Sequence, residues 1–438
     1  MDRMNDPADA AETGNGDGER HASWPELFFD LVAVAGIATV AHQLDESHGW
    51  RALAILAVAF TAFWVLWASV TTYGNLLADR ASTLVLFASM AVLGVMVAAV
   101  PGVFDEHARV FAIAYVIGRV LMARPWNRGS VVVDMPIVQA SVGVLPWIAS
   151  IWVDGTARYV LWAVGIALDL FTLLTYSGER AVETAQRRLD LLLTRRGASR
   201  AHSDERQPDV AAGSSPRVPR DARRQGGRDR ELPTTITALS GDASHLSERM
   251  GLFVLIILGE AIIQLTVAAQ ESEHWDRQLL WAALGAFVFV STLFLLAVVR
   301  GTAGLALLAS PALLPSRVLW VGHLLVAMSL VTVGAALGRL LAEPHEPPSA
   351  HTVGMLAIGT AVFAVVSGVA HLLAGTPRAL RMALAVTLPL VAAAIVLQLA
   401  RASVTSGWAA WILAAGALAT GVFGLRASGL RRPAAPSP

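Results

Sequence analysis

Carboxylates set inside long apolar runs are the residues of this chain best placed to do chemistry. Asp30 ends the run Trp24-Pro25-Glu26-Leu27-Phe28-Phe29, and Glu260 follows Leu252-Phe253-Val254-Leu255-Ile256-Ile257-Leu258-Gly259. An ionisable group inside an apolar helix costs a few kcal/mol to place in a bilayer and marks a functional site by default. Carboxylates in such surroundings can exchange protons near neutral pH. Ser23 and Glu26 have the spacing of a capping box, with Pro25 just inside the helix. That gives Glu26 a sufficient structural task, with a functional one as the alternative. Asp30 lies one turn deeper on the same face, beyond the reach of a cap.

The other candidates divide by position. His42 stands twelve residues past Asp30, about 18 Å along a helix, where either water or a functional partner satisfies it. His245 and Glu248 are three residues apart at the head of a later run and could share a ligand or a proton. At that head Glu248 also suits the positive end of the helix macrodipole. Glu260 falls near the middle of its run, with Gln264 one turn on, and is the strongest candidate. Arg119, Asp134 and Asp169 sit in three further runs, either as a structural ion-pair set or as part of a substrate path. His323, His371 and Gln398 read as helix–helix hydrogen-bond partners, and Gly334 with Gly338 as a packing GxxxG.

The elements that must carry these groups are apolar helices. Of the 438 residues 55% are hydrophobic and only 15% charged, against about 25% charged in a soluble domain. A spanning helix needs about 20 mostly apolar residues. The expected fold is therefore an all-α, polytopic transmembrane bundle of about twelve spans. They fall at 24–44, 51–73, 81–104, 108–123, 131–153, 158–176, 248–269, 278–299, 317–342, 352–374, 379–400 and 407–425. The organisation expected is a polar tail (1–23), a first six-helix half (24–176), an Arg-rich linker (177–247), a second half (248–425) and a short tail (426–438). Within the linker, Gly178–Arg196 is either a basic amphipathic helix at a lipid surface or a solvated extension of the sixth span.

Every one of the 33 basic residues is Arg. Their placement favours one side: Arg80, Arg124, Arg128, Arg300, Arg317, Arg378, Arg381 and the C-terminal arginines fall in alternate loops. By the positive-inside rule both termini are cytoplasmic, and the lack of Lys with an Ala-rich composition points to a GC-rich bacterial genome, so the expected membrane is the bacterial inner membrane. There is no Cys, which excludes thiolate catalysis, disulfides and Cys-held metals or clusters. No phosphate-binding loop, nucleophile elbow or zinc-protease motif occurs. No enzyme activity, cofactor, resident metal or nucleic-acid partner is expected.

Two segments resemble a known family. Residues 24–44 (WPELFFDLVAVAGIATVAHQL) are similar to the opening helix of the bacterial low temperature requirement A family, and 245–265 (HLSERMGLFVLIILGEAIIQL) to its second hallmark. Phe63–Trp67 through Tyr73-Gly74-Asn75, and His323-Leu324-Leu325, resemble weaker family motifs. The resemblance places Glu26, Asp30, His42, His245, Glu248, Arg249 and Glu260 at motif positions. It also implies two parallel six-helix halves. The functional expectation is a proton-linked secondary transporter or channel for a small solute. Its pathway would comprise Asp30, Glu260, Glu248, His245, Asp169, Arg119, Glu26 and His42. The alternative is a membrane scaffold or sensor in cold or envelope stress, with structural ion pairs. Partners are then the lipid bilayer, a proton or small solute, and a second copy of the chain.

Overall fold

A computed structural model describes residues 23–46, 49–123, 126, 130–139, 142–175, 178–204, 235–272, 274–299 and 314–428. The proposed polar tail and the centre of the proposed linker lie outside the described residues. In chain order the helices are α1 (Trp24–Glu46), α2 (Trp50–Leu77), α3 (Thr83–Ala99), α4 (Ala108–Ala123), α5 (Val144–Ser150), α6 (Thr156–Thr175) and α7 (Gly178–Asp204). They continue with α8 (Ala243–Glu271), α9 (Arg277–Phe294), α10 (Ser316–Ala342), α11 (Ala350–Leu373), α12 (Ala379–Ala400) and α13 (Ser406–Ser428). A π turn over Leu295–Val299 prolongs α9. Among the described residues nine helices are long and apolar enough to cross a membrane: α1, α2, α6 and α8–α13. Helices α3 and α4 are shorter, with 17 and 16 residues. The chain is a multi-pass, all-α membrane protein.

The expected fifth span, 131–153, is not one helix. It begins as the strand β1 (Ser130–Val132), passes through a 3-10 turn at Pro136–Val138, and becomes helical only over α5. The cause is local. Pro136 has no N–H to give, and Pro146 is tolerated only because it sits in the first turn of α5. Gln139 fastens the break by accepting from Val132 N (2.8 Å) and donating to Ser130 O (3.0 Å). Strand β1 pairs in parallel with β2 (Thr237–Leu239), from the stretch read as linker. That stretch is also helical over α7, and α8 starts at Ala243 rather than at 248, capped by Asp242.

Helices α1 and α8 run side by side in the same direction. Glu26 faces His245 and Asp30 faces Arg249, and both pairs are separated by 219 positions. A constant separation is the signature of parallel neighbours. The heads of α1 and α8 thus share one end of the bundle, and Asp134 joins them there by accepting from Gly241 N (2.9 Å). At the opposite end Arg51, at the head of α2, donates to Thr156, at the head of α6 (3.3 Å). The broken segment therefore leads from one end of the bundle to the other.

Helices α2 and α10 form the centre, with 78% of the most apolar stretch of each buried. Trp64, Trp67 and Trp320 are almost wholly enclosed there. The outward faces carry a belt of exposed Leu, Ile, Val and Phe, including Phe28, Leu31, Ile117, Phe171, Ile263, Phe287 and Leu399. A soluble monomer does not display apolar surface on this scale. Gly334 and Gly338 of α10 lie against Ala261 and Gln264 of α8, so the GxxxG acts as a close-packing surface.

Candidate functional site

The parallel seam between α1 and α8 gathers the buried charges. Ser23 donates to Glu26 Oε2 from both its backbone N and its hydroxyl (2.8 Å each), so Glu26 caps its own helix. The same Oε2 faces His245 Nε2 at 3.7 Å. The other carboxylate oxygen lies over Gly74 of α2, where a Cβ would come within 2.4 Å of it. One turn along, Asp30 Oδ1 accepts from Arg249 Nη2 (2.8 Å) and from Trp67 Nε1 (3.1 Å). All four ionisable groups are buried, none more than 4% exposed.

Asn75, at the end of α2, fixes the imidazole. Its Nδ2 donates to Asp242 O (3.0 Å) and its Oδ1 accepts from Asp242 N (3.2 Å), which settles the orientation of the amide. Oδ1 also lies 3.2 Å from His245 Nδ1. An amide oxygen only accepts, so Nδ1 carries the hydrogen. The remaining nitrogen, Nε2, is turned toward Glu26. Asp242 itself accepts from His245 N and Ser244 N, and these bonds hold its exposed carboxyl below the usual carboxylate range.

Four buried polar atoms of this cluster find no hydrogen-bond partner among the described residues: Asp30 Oδ2, His245 Nε2, Arg249 Nε and Arg249 Nη1. Counted with a neutral imidazole, the two carboxylates and one guanidinium leave one negative charge in excess. One added proton balances it.

Further along the seam, Glu260 is 5% exposed and accepts from Gln264 Nε2 (2.7 Å). The seam's register brings His42 beside it, within electrostatic reach. His42 is exposed, as is Glu248. Glu248 is therefore on a different face of α8 from His245, and the two do not form the shared site that their spacing suggested.

Arg119 and Asp169 form a separate buried pair. Arg119 Nη1 donates to Asp169 Oδ2 (2.5 Å) and to Tyr115 Oη (2.8 Å), and its Nη2 donates to the carbonyl of Ile137 (2.7 Å). The guanidinium thereby ties α4 and α6 to the 3-10 turn of the broken segment. Asp134 is also a tie: its carboxylate accepts from Gly241 N and Ser316 Oγ, and its carbonyl from Trp320 Nε1 (3.1 Å). His323 joins α2, α8 and α10. Trp64 Nε1 donates to its Nδ1 (2.9 Å), its Nε2 faces Met250 O (3.4 Å), and Trp67 stacks on the ring. With Nδ1 accepting, the hydrogen is on Nε2 and the ring is neutral.

Sequence reasoning placed Arg249 at a motif position but did not rank it among the pathway residues. A signal was present, since Arg249 stands four residues after His245 and so on its helical face. Asn75, Trp67 and Gly74 gave only a weak motif signal, because their roles arise from α2 meeting two helices distant in sequence.

Comparison with known proteins adds the following. A family model described as bacterial low temperature requirement A protein (LtrA) matches residues 21–418. An uncharacterized protein of Rhizobium meliloti (strain 1021) is 27% identical over 256 residues, covering 55% of this chain. The match spans about half the length of that relative, 50%. No solved structure matches the chain.

Proposed function

Because the chain belongs to the bacterial low temperature requirement A family, its seam of buried charge is read in a multi-pass membrane protein, and we propose that it is a proton-linked secondary transporter. The observation that carries this reading is the Glu26–His245 pair. Nδ1 is committed to Asn75, and Nε2 faces a carboxylate oxygen inside a cluster one positive charge short of neutral. A proton shared between Nε2 and Oε2 supplies that charge. Its loss leaves two acceptors facing one another in a buried site, which favours rearrangement of α1 against α8. Glu260 and His42 form the second station on the seam. Arg119 and Asp169, with Glu248, stand outside this path.

Twelve crossings fit the geometry, with the broken segment counted as the fifth and α1–α6 and α8–α13 as two halves. The neighbour pattern of the first half recurs in the second: first with third helix, third with fourth, second with sixth. The parallel run of α1 and α8 agrees with a parallel duplication. Both termini are then cytoplasmic, and the heads of α1 and α8 face the cytoplasm.

The test is proton movement in dye-loaded liposomes under an imposed pH gradient, across a panel of small solutes. Glu26→Gln, His245→Gln and Glu260→Gln should each abolish solute-dependent proton flux while the protein remains folded. Wild-type flux in both Glu26→Gln and His245→Gln would remove the pair from the mechanism.

A further inference from the structure

Helix α7 leaves the bundle immediately after α6, at the end of the molecule where α1 and α8 begin. Its first half is held against the two-stranded sheet. Gly178 lies against Val133, and Gln186 Oε1 accepts from Ile236 N (2.8 Å). At about 100° per residue the side chains of this helix sort into three sectors. Val182, Gln186, Leu189 and Leu193 face the protein, and Leu189 is only 6% exposed. Glu183, Asp190 and Thr194 occupy a polar sector. The third holds Leu191, Arg195, Arg188 and Leu192, all exposed, with Leu191 at 62% and Leu192 at 52%.

That third sector has no counterpart on a purely water-facing helix. Within about 100° of arc it sets two arginines between two leucines, and along the axis Arg188 precedes the leucines and Arg195 follows them. Arginines flanking leucines match an anionic bilayer surface: the leucines enter the acyl boundary and the guanidinium groups meet phosphates. Only two residues separate the end of the spanning helix α6 from the start of α7, so α7 begins close to that surface. We propose that α7 docks on the membrane through Leu191 and Leu192 and is held there by anionic headgroups on Arg188 and Arg195.

The chain has no Cys, so Leu192→Cys and Thr194→Cys each give a single spin-label site in the full-length protein. The label is read by its accessibility to oxygen and to an aqueous nickel reagent. Nanodiscs of phosphatidylcholine alone are compared with nanodiscs containing phosphatidylglycerol. With phosphatidylglycerol, the label at 192 should lie in the bilayer and the label at 194 in water. Replacing Arg188 and Arg195 by Gln should shift the docked-to-undocked ratio at 192 about thirtyfold toward water, from roughly 1 kcal/mol per arginine near an anionic surface. A label at 192 as water-accessible as that at 194 overturns the proposal and leaves a solvated helix or a protein-binding face. Insertion at 192 that ignores both lipid charge and the arginines overturns the headgroup role.

Discussion

Removing Arg249 should cost more than removing its partner Asp30, and the difference measures the charge imbalance of the seam. At 2.8 Å and an effective dielectric of about 20, the attraction between the two groups is roughly 6 kcal/mol before desolvation. Arg249→Gln leaves the Asp30 carboxylate buried beside Glu26 without its guanidinium partner, a loss of about 3–5 kcal/mol. Asp30→Asn keeps the shape and leaves Glu26 matched by Arg249. It loses chiefly a charge-assisted hydrogen bond, about 1.5–3 kcal/mol. The double variant should cost less than the sum of the two, with a coupling of about 1–3 kcal/mol. Thermal unfolding of purified protein in one detergent, followed by the fluorescence of its 13 Trp residues, gives the ranking. Size-exclusion profiles confirm that each variant is folded at the outset. Equal costs for the two single variants, or additive costs in the double, would refute the reasoning.

Gly74→Ala should push the Glu26 carboxylate away from its position, since the new methyl would lie 2.4 Å from Oε1. Proton flux should fall as in Glu26→Gln, whereas Gly354→Ala, where nothing lies within 4 Å, should leave flux unchanged. His323→Leu strands the Trp64 indole N–H in the core and should destabilise by about 1–3 kcal/mol; the relief of that loss in a Trp64→Phe background is the check. Outside the spans, Asp276 caps α9 and contacts His345 (2.5 Å). The backbone N–H of Leu279, then His345, hold its carboxyl below the ordinary range. A depressed carboxylate stabilises above its unfolded pKa and loses that contribution as pH falls. Wild type should therefore lose stability below about pH 4, and Asp276→Asn should flatten that part of a stability-against-pH profile.

Much of the fold was legible in the sequence because bilayer physics acts locally. An apolar run of about 20 residues is a helix wherever it sits, so α1, α2, α6 and α8–α13 could be read directly. The broken segment was harder, because its run is apolar enough for a span while Pro136 and Pro146 deny it a continuous ladder. Helix α7 was open between two readings, since its leucines and arginines gain meaning only from the faces that the sheet covers.

The candidate site divides in the same way. The sequence by itself determined that Glu26, Asp30, His245, Arg249 and Glu260 sit in apolar helices, because each costs energy there and needs a reason. Composition likewise removed thiol chemistry. Only the tertiary structure decided who meets whom. It set α1 beside α8 in a parallel register, turned Glu248 outward while His245 turned inward, and gave Arg119 and Asp169 to the broken segment. It also brought Asn75 to the imidazole, which fixes where the hydrogen lies. Pairings of this kind join residues 170 and 219 positions apart. No local periodicity encodes them, because they depend on how whole helices pack.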